Sequence, residues 1–303
     1  MKIVITGGTG FIGTALIKKL LTFNHEIIVL SRTIPTANII ENVKYIQWLN
    51  EGDTPETELA ETDCFINLAG ATISKPWTES YKQLIVSSRL EATKEVLRII
   101  SQLEVKPSLL INASAIGFYG TSDVRYFTEN SMYPGEDFLA TTCKQWEDLA
   151  STAYDLGVKR VVYTRFGLIL DNKYGALPRM VTPYRMLVGG NLGDGDQWYS
   201  WIHIDDVIGS IIHILRTPKL KGPVNIVSPM PVRMTDFGKE LAKVLGKPHY
   251  FTAPSFILKS LLGEMSMLVL QGQHVMPEKL IKTNYDFKYP YLSTALRSLY
   301  RQS

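Results

Sequence analysis

The sequence predicts an α/β fold: a doubly wound parallel sheet with a smaller, mostly helical C-terminal part. Three observations carry this. Short β-branched runs alternate with longer stretches of helical periodicity. A glycine-rich loop joins the first run to the first helix. After Pro254 the chain reads mainly as helices.

Each element follows from local pattern. Residues 2–6 (KIVIT) read as a buried strand, and residues 14–24 carry helical periodicity. Residues 26–30 (EIIVL) and 64–68 (CFINL) are the next strands. A long amphipathic helix is expected over 78–103, broken by Pro107, and then a strand over 109–113 (LLINA). Residues 137–156 read as a helix stopped by Gly157, and 160–165 (RVVYTR) as a strand. The pattern then loosens. Pro178, Pro183 and the glycines at 189, 190, 193 and 195 suit helix plus loop. A helix over 204–215, a strand over 224–227 and a helix over 235–245 ending at Gly246 follow. Helices over 254–272, 277–282 and 292–301 complete the chain. Strands alternating with helices imply right-handed βαβ crossovers and a parallel sheet.

At about 150 residues per domain, 303 residues suggest two parts. Residues 1–170 plus about 201–228 are the expected nucleotide-binding unit; about 171–200 plus 229–303 are the expected substrate unit. Lys and Arg number 32 against 29 Asp and Glu, a net +3, too near neutral to argue for nucleic acid or an anionic membrane. Cys64 and Cys143 have no metal-ligand spacing and the five histidines are scattered, so no metal is expected. No apolar run approaches membrane-spanning length and the N-terminus has no signal-peptide pattern, so the expected compartment is cytoplasmic.

The loop Gly7-Gly8-Thr9-Gly10-Phe11-Ile12-Gly13 has the spacing G-x-x-G-x-x-G. Gly7 allows the turn off the strand, Gly10 lets backbone approach a pyrophosphate, and Gly13 allows close helix–strand packing. Backbone N–H groups and the helix dipole favour an anion there, with Thr9, Phe11 and Ile12 among its neighbours. Strand, loop, helix and second strand together make this a Rossmann dinucleotide site. NAD sites usually carry an acid at the end of the second strand. Here that strand ends Leu30-Ser31-Arg32. Arg32 offers a fork of donors suited to a phosphate, so NADP is the expected cofactor, with Ser31 and Arg32 its readers.

With Leu68-Ala69-Gly70 after the third strand and Tyr119-Gly120 after the fourth, the chain resembles the extended short-chain dehydrogenase/reductases of epimerase/dehydratase type. Further motifs narrow this: Ser88-Arg89, Ser114 to Gly120, Lys144-Gln145-Trp146-Glu147, Ser200 to Asp206, and Leu262-Gly263-Glu264-Met265. Together they look like the atypical epimerase family that ends in a small helical domain of unknown function. The resemblance implies a small-molecule substrate, sugar-like or carbonyl-bearing, and an NADP-dependent oxidoreductase or epimerase-like activity.

It also implies a catalytic Ser, Tyr and Lys, the Tyr four residues before the Lys. Ser114 and Lys144 match, but Ala140 stands at the Tyr position, and no lysine of the chain has a Tyr four residues earlier. Tyr119, after the fourth strand, is the expected replacement acid. Cys143 reads as a buried helix residue rather than an activated thiol. Arg89 points back to the cofactor loop or holds an anionic substrate, or else is an exposed or helix-packing residue; Leu68, Ala69, Gly70, Phe166 and Gly167 are expected beside the cofactor. Trp77, Trp198 and Trp201 are expected to line the substrate cleft. Asp205 and Asp206 read as helix-capping and domain-anchoring residues. The missing Tyr keeps a second reading open: a non-catalytic NADP(H)-binding, redox-responsive or partner-interaction protein, as in relatives linked to cell division. The chain is expected to be a monomer or a homodimer. Leu84, Ile85, Leu90, Val96 and Leu97 on the helix over 78–103 serve either a dimer interface or the sheet-facing core.

Overall fold

A computed structural model describes residues 1–37 and 39–300. The expected helix end at Arg301 lies outside the described residues. Seven parallel strands form the main sheet: β1 (Lys2–Thr6), β2 (Glu26–Ser31), β3 (Val43–Gln47), β4 (Cys64–Asn67), β5 (Leu109–Ala115), β6 (Arg160–Phe166) and β7 (Gly222–Ile226). Their spatial order is β7-β6-β5-β4-β1-β2-β3. The chain winds outward from β1 to β3, then returns to β4 on the other side. The switch between β1 and β4 opens a crevice at the strands' carboxyl ends, where ligands bind in such sheets.

Five of the seven strands fall within a residue or two of their expected bounds, and β7 begins two residues early. The sequence reading misses β3. Its residues Val-Lys-Tyr-Ile-Gln are only partly covered at the sheet edge: Val43 and Tyr45 are half-buried on one face, Ile46 is buried on the other, and Lys44 and Gln47 are exposed. Helices α1 (Phe11–Leu21), α2 (Glu79–Gln102) and α3 (Phe138–Ser151) cross between strands. The first begins inside the glycine motif, three residues earlier than expected. Side chains cap the other two. Thr78 accepts from Tyr81 N–H at 3.2 Å, and Asp137 accepts from Leu139 and Ala140 N–H at 2.9 and 3.0 Å.

The period-2 alternation of the strands feeds two cores. Ile3 and Ile5 pack with Leu16 and Leu20 of α1, and with Val207 and Ile211 of a later helix, Ile204–Arg216. Val4, Phe65 and Leu110 pack against Val96 and Ile100 of α2 on the opposite face. Val96 and Leu97 are thereby sheet-facing core and Ile85 is buried, whereas Leu90 is half-buried and Leu84 stays exposed.

A third cluster holds the C-terminal part together. Leu177, Val181, Tyr199, Trp201, Phe237 and Leu296 are among its members. Here the chain builds two-stranded pairs that the sequence reading missed. Leu168–Leu170 pairs with Trp201–His203, Gly190–Leu192 with Phe251–Ala253, Trp198–Tyr199 with Val232–Arg233, and Ser122–Phe127 with Gln273–Val275. These strands are two to six residues long, too short for a periodic signal. The tail is anchored as expected: Asp206 accepts from the backbone N–H of Lys288 and Tyr289, both at 2.8 Å, and from Tyr285 Oη at 3.0 Å. Asp205 pairs with Lys288 Nζ at 2.7 Å. Among the described residues, no helix is long and apolar enough to cross a membrane, and no group of His, Cys, Asp or Glu could hold a metal ion.

Candidate functional site

At the amino end of the crevice, Gly7 sits at φ +66°, and a Cβ there would come within 2.7 Å of the Leu68 carbonyl oxygen. Gly10 N–H donates to Gly7 O at 3.0 Å, closing the turn. A Cβ on Gly13 would lie 2.4 Å from Gly7 O. The loop therefore needs glycine for conformation at Gly7 and for contact at Gly13. No side chain caps α1 and no acid stands in its first turn, so its N-terminal N–H groups face the crevice mouth without a built-in anion. This is a cradle that fits a pyrophosphate. Thr9, Gly10 and Phe11 also border a cleft of about 780 Å³ that runs between α1 and the helix Ile204–Arg216, past Thr14, Lys18 and Ile208. Neither Ser114 nor Lys144 lines that cleft.

Ser31 and Arg32 close β2 on the next strand. Ser31 Oγ donates to Thr33 O at 2.7 Å. Arg32 is exposed, and among the described residues no side chain pairs with its guanidinium. Its backbone is held by Asn50, whose Nδ2 donates to Arg32 O at 3.1 Å.

Leu68, Ala69 and Gly70 form the facing wall. Leu68 N–H donates to Thr6 O at 3.2 Å, and Ala71 N–H donates to Ser88 Oγ at 2.9 Å. Arg89 turns back to this loop. A Cβ on Gly70 would sit 3.1 Å from Arg89 Cγ and 3.3 Å from its Cζ. Arg89 Nη1 donates to Ile85 O at 2.7 Å, and its guanidinium lies 5.1 Å from the Trp146 ring. Burial pushes its pKa down, and among the described residues no carboxylate pairs with it. Beneath these loops a buried polar row runs from strand to strand. Thr6 Oγ1 donates to Asn67 Oδ1 at 2.6 Å, and Asn67 Nδ2 donates to Asn112 Oδ1 at 2.7 Å and Thr93 Oγ1 at 2.9 Å.

At the far end of the crevice the structure assembles a cluster that the sequence reading did not. Ser114 Oγ, at the end of β5, donates to Glu147 Oε1 of α3 at 2.6 Å. Arg165, near the end of β6, grips the same carboxylate through Nε at 2.8 Å and Nη2 at 2.7 Å. All three are buried. Arg165 also lies 3.5 Å from the Phe118 ring centroid and 4.8 Å from that of Tyr119. Its remaining Nη1 is buried with no hydrogen-bond partner. The signal was present in Lys144-Gln145-Trp146-Glu147 and Arg165-Phe166-Gly167, but no spacing rule joins residues that meet through two different elements.

Other expectations about this end need correction. Tyr119 does not reach into the crevice. It is buried, its ring stacks on Phe127 at 5.1 Å, and its hydroxyl donates to Asn225 Oδ1 at 2.8 Å. Burial pushes its pKa up to about 12. Lys144 is half exposed and its ammonium pairs with Asp148 one turn on; among the described residues it bonds neither Ser114 nor Tyr119. Ala140 is fully buried, and a Cβ on Gly135 would lie 3.2 Å from its methyl group. Gly135 in turn packs against Gly120, so the chain itself fills the space where a Tyr ring would stand. Cys143 is buried, as expected, and its thiol is pushed up to about 11 by burial.

The tryptophans divide. Trp77 is half-buried in the loop after β4, its Nε1 on Ile73 O at 2.9 Å and its edge against Phe138 at 5.3 Å. Trp201 is fully buried in the third core cluster, its Nε1 on Met230 O at 2.9 Å, so it cannot line a cleft. Trp198 lies between Arg233 at 3.9 Å and His274 at 4.2 Å, which leaves no open face for a ligand. Phe166 is partly buried against the first core. Gly167 follows it where a Cβ would lie 2.3 Å from Ser200 O, so close packing requires glycine there.

Comparison with known proteins gives this geometry a context. Residues 3–227 match the NAD dependent epimerase/dehydratase family, and residues 253–299 match a domain of unknown function, DUF1731. The chain is 45% identical over 299 residues to the epimerase family protein YfhF of Bacillus subtilis, covering 99% of this chain and 98% of that one. It is similar to the human epimerase family protein SDR39U1, solved with NADPH, at 29% identity and a TM-score of 0.87 over the whole of both chains. A UDP-glucuronic acid 4-epimerase from Bacillus cereus, solved with NAD and UDP-glucuronic acid, shares the fold at 19% identity and a TM-score of 0.78, covering 99% of this chain and 98% of that one.

Proposed function

The chain belongs to the NAD dependent epimerase/dehydratase family, and on that premise we propose that it is an NADP(H)-dependent oxidoreductase or epimerase-like enzyme acting on a small polar, sugar-like or carbonyl-bearing substrate. The observation that carries the cofactor is the uncapped N-terminus of α1 beside a second strand that ends in Arg32 with no acid. The human relative solved with NADPH supports the same choice. In this reading Gly7, Thr9, Gly10, Phe11, Ile12 and Gly13 hold the pyrophosphate, and Ser31 and Arg32 the ribose phosphate. Leu68, Ala69, Gly70, Arg89, Phe166 and Gly167 line the rest of the dinucleotide.

When bound, the dinucleotide supplies a hydride donor or acceptor at its nicotinamide. The chain's own share is the proton. Ser114 gives its hydrogen to Glu147, so its oxygen is left to accept from a substrate hydroxyl. In the oxidising direction Ser114 Oγ takes the substrate's proton as its own moves to Glu147 Oε1, while Arg165 holds that side chain in place through Nε and Nη2. Lys144, released from Asp148, is within the family pattern for the ribose.

A second reading, binding of NADP(H) without turnover, is favoured by one observation: the Tyr position is closed by packing around Ala140. Titration of the protein with NADPH and NADH, followed by NADPH oxidation against a panel of aldehydes and ketones and by product analysis of nucleotide sugars incubated with the bound dinucleotide, separates the two. Binding with no turnover favours the second reading; no binding of either dinucleotide sinks both. Arg32→Ala is expected to weaken NADPH by about 10- to 100-fold while leaving NADH within about 3-fold. Equal losses for both would remove Arg32 as the phosphate reader.

A further inference from the structure

We propose that the outer tip of the C-terminal part docks on an anionic lipid surface. The turn after the helix Leu177–Arg185 presents Met186, Leu187 and Val188 to solvent. This is not a frayed loop. Leu187 N–H donates to Tyr184 O at 3.0 Å and Val188 N–H to Pro183 O at 2.9 Å, with Leu187 held at φ +63°, a conformation L side chains rarely adopt. Tyr250 Oη then donates to Leu187 O at 2.9 Å, and the exposed Tyr250 and Phe251 lead into the strand paired with Gly190–Leu192. Beyond it runs the helix Ser255–Leu262, in which no residue is buried and Phe256 and Leu261 are 72% and 75% exposed. The backbone thus turns the apolar side chains of the turn, of the strand paired with Gly190–Leu192 and of the helix that follows it outward.

Charge selects the occupant. No Asp or Glu occurs from residue 172 to 193, nor from 241 to 263. Arg185, Lys247 and Lys259 are exposed on these same segments. Of the acids that border these segments, Asp194 follows the first, and Glu264, which follows the second, pairs with Lys82 at 3.1 Å. Apolar side chains flanked by cations and no acids match the headgroup and acyl boundary of an anionic bilayer. A second copy of the same face would set these cations against their own counterparts.

The test is co-sedimentation of the full chain with vesicles of phosphatidylcholine, alone or with about one-third phosphatidylglycerol. Binding is expected to the anionic vesicles, about 10-fold weaker to the neutral ones, and lower as salt rises. Phe256→Asp with Leu261→Asp, and separately Arg185→Glu with Lys259→Glu, are each expected to weaken binding by at least about 10-fold without changing the melting temperature. The proposal is overturned by no binding to either vesicle, by equal binding to both, or by variants that bind like the parent. A dimer, or a protein complex, lost in the same variants with no vesicle binding would also overturn it. None of these outcomes depends on the dinucleotide.

Discussion

Glu147 and Asp148 are neighbours in sequence with opposite fates. Glu147 accepts three hydrogen bonds in a buried pocket, two of them from Arg165, which leaves Arg165 Nη1 as the one donor without a partner. Asp148 pairs with Lys144 on the surface, where solvent screens the charge. Removing one member of a buried pair strands the other, at a cost of about 3–5 kcal/mol. Glu147→Ala is therefore expected to lower stability by about 3–5 kcal/mol, and Asp148→Ala by no more than about 0.5 kcal/mol, in urea titrations. Similar losses for both would mean that Arg165 finds another partner. Ser114, Tyr119 and Lys144 were each legible in the sequence as residue types; where their hydrogen bonds go was not. Tyr119 Oη reaches Asn225, which is 106 residues away in the chain.

Among the elements, α3 shows why one expected residue is missing. Asp137 caps its first turn, and that fixes Ala140 against the Gly120–Gly135 contact. A Tyr at this position would drive its ring into backbone, where overpacking costs about 1–3 kcal/mol. Ala140→Tyr is expected to destabilise the chain by about that amount and to leave NADPH turnover no higher than in the parent. A gain in turnover with unchanged stability would show that the crevice has room for the usual acid. Helix and strand positions were readable because their periodicities repeat over whole turns or strands. The edge strand β3 and the two-stranded pairs were not, since one or two alternations carry too little signal.

Across the molecule, burial sets the response to acid. All five histidines have pKa values pushed down, chiefly by burial. His203 is the strongest case, lowered from 6.5 to about 4. It caps the helix Ile204–Arg216 by accepting from Asp205 N–H at 3.0 Å, which needs Nδ1 unprotonated. The unfolded chain takes up protons below 6.5 while the folded chain resists until about 4, so stability falls as pH drops through that window. Glu129 and Asp206 are shifted up by burial and act in the opposite sense where they titrate, so a variant of His203 itself isolates its share. Urea midpoints are expected to fall between about pH 7.5 and about pH 5, and His203→Asn, which keeps a cap acceptor without titrating there, to reduce the slope. An unchanged slope in that variant would assign the acid sensitivity elsewhere. At the same scale, a net charge of +3 conceals segments that contain cations and no acids, and the fold brings two of them together at the Gly190–Leu192 and Phe251–Ala253 pair.

The sequence by itself determined the α/β class, six of the seven sheet strands, the glycine loop and the absence of an acid after β2. These features are local: a turn's backbone, a strand's alternation and a helix's period are written in adjacent residues. Only the tertiary structure decided that Ser114, Glu147 and Arg165 form one cluster, that Tyr119 and Trp201 face inward, and that Trp198 has no free face. Those outcomes depend on which elements pack together, and a buried polar group takes whatever partner that packing brings within reach.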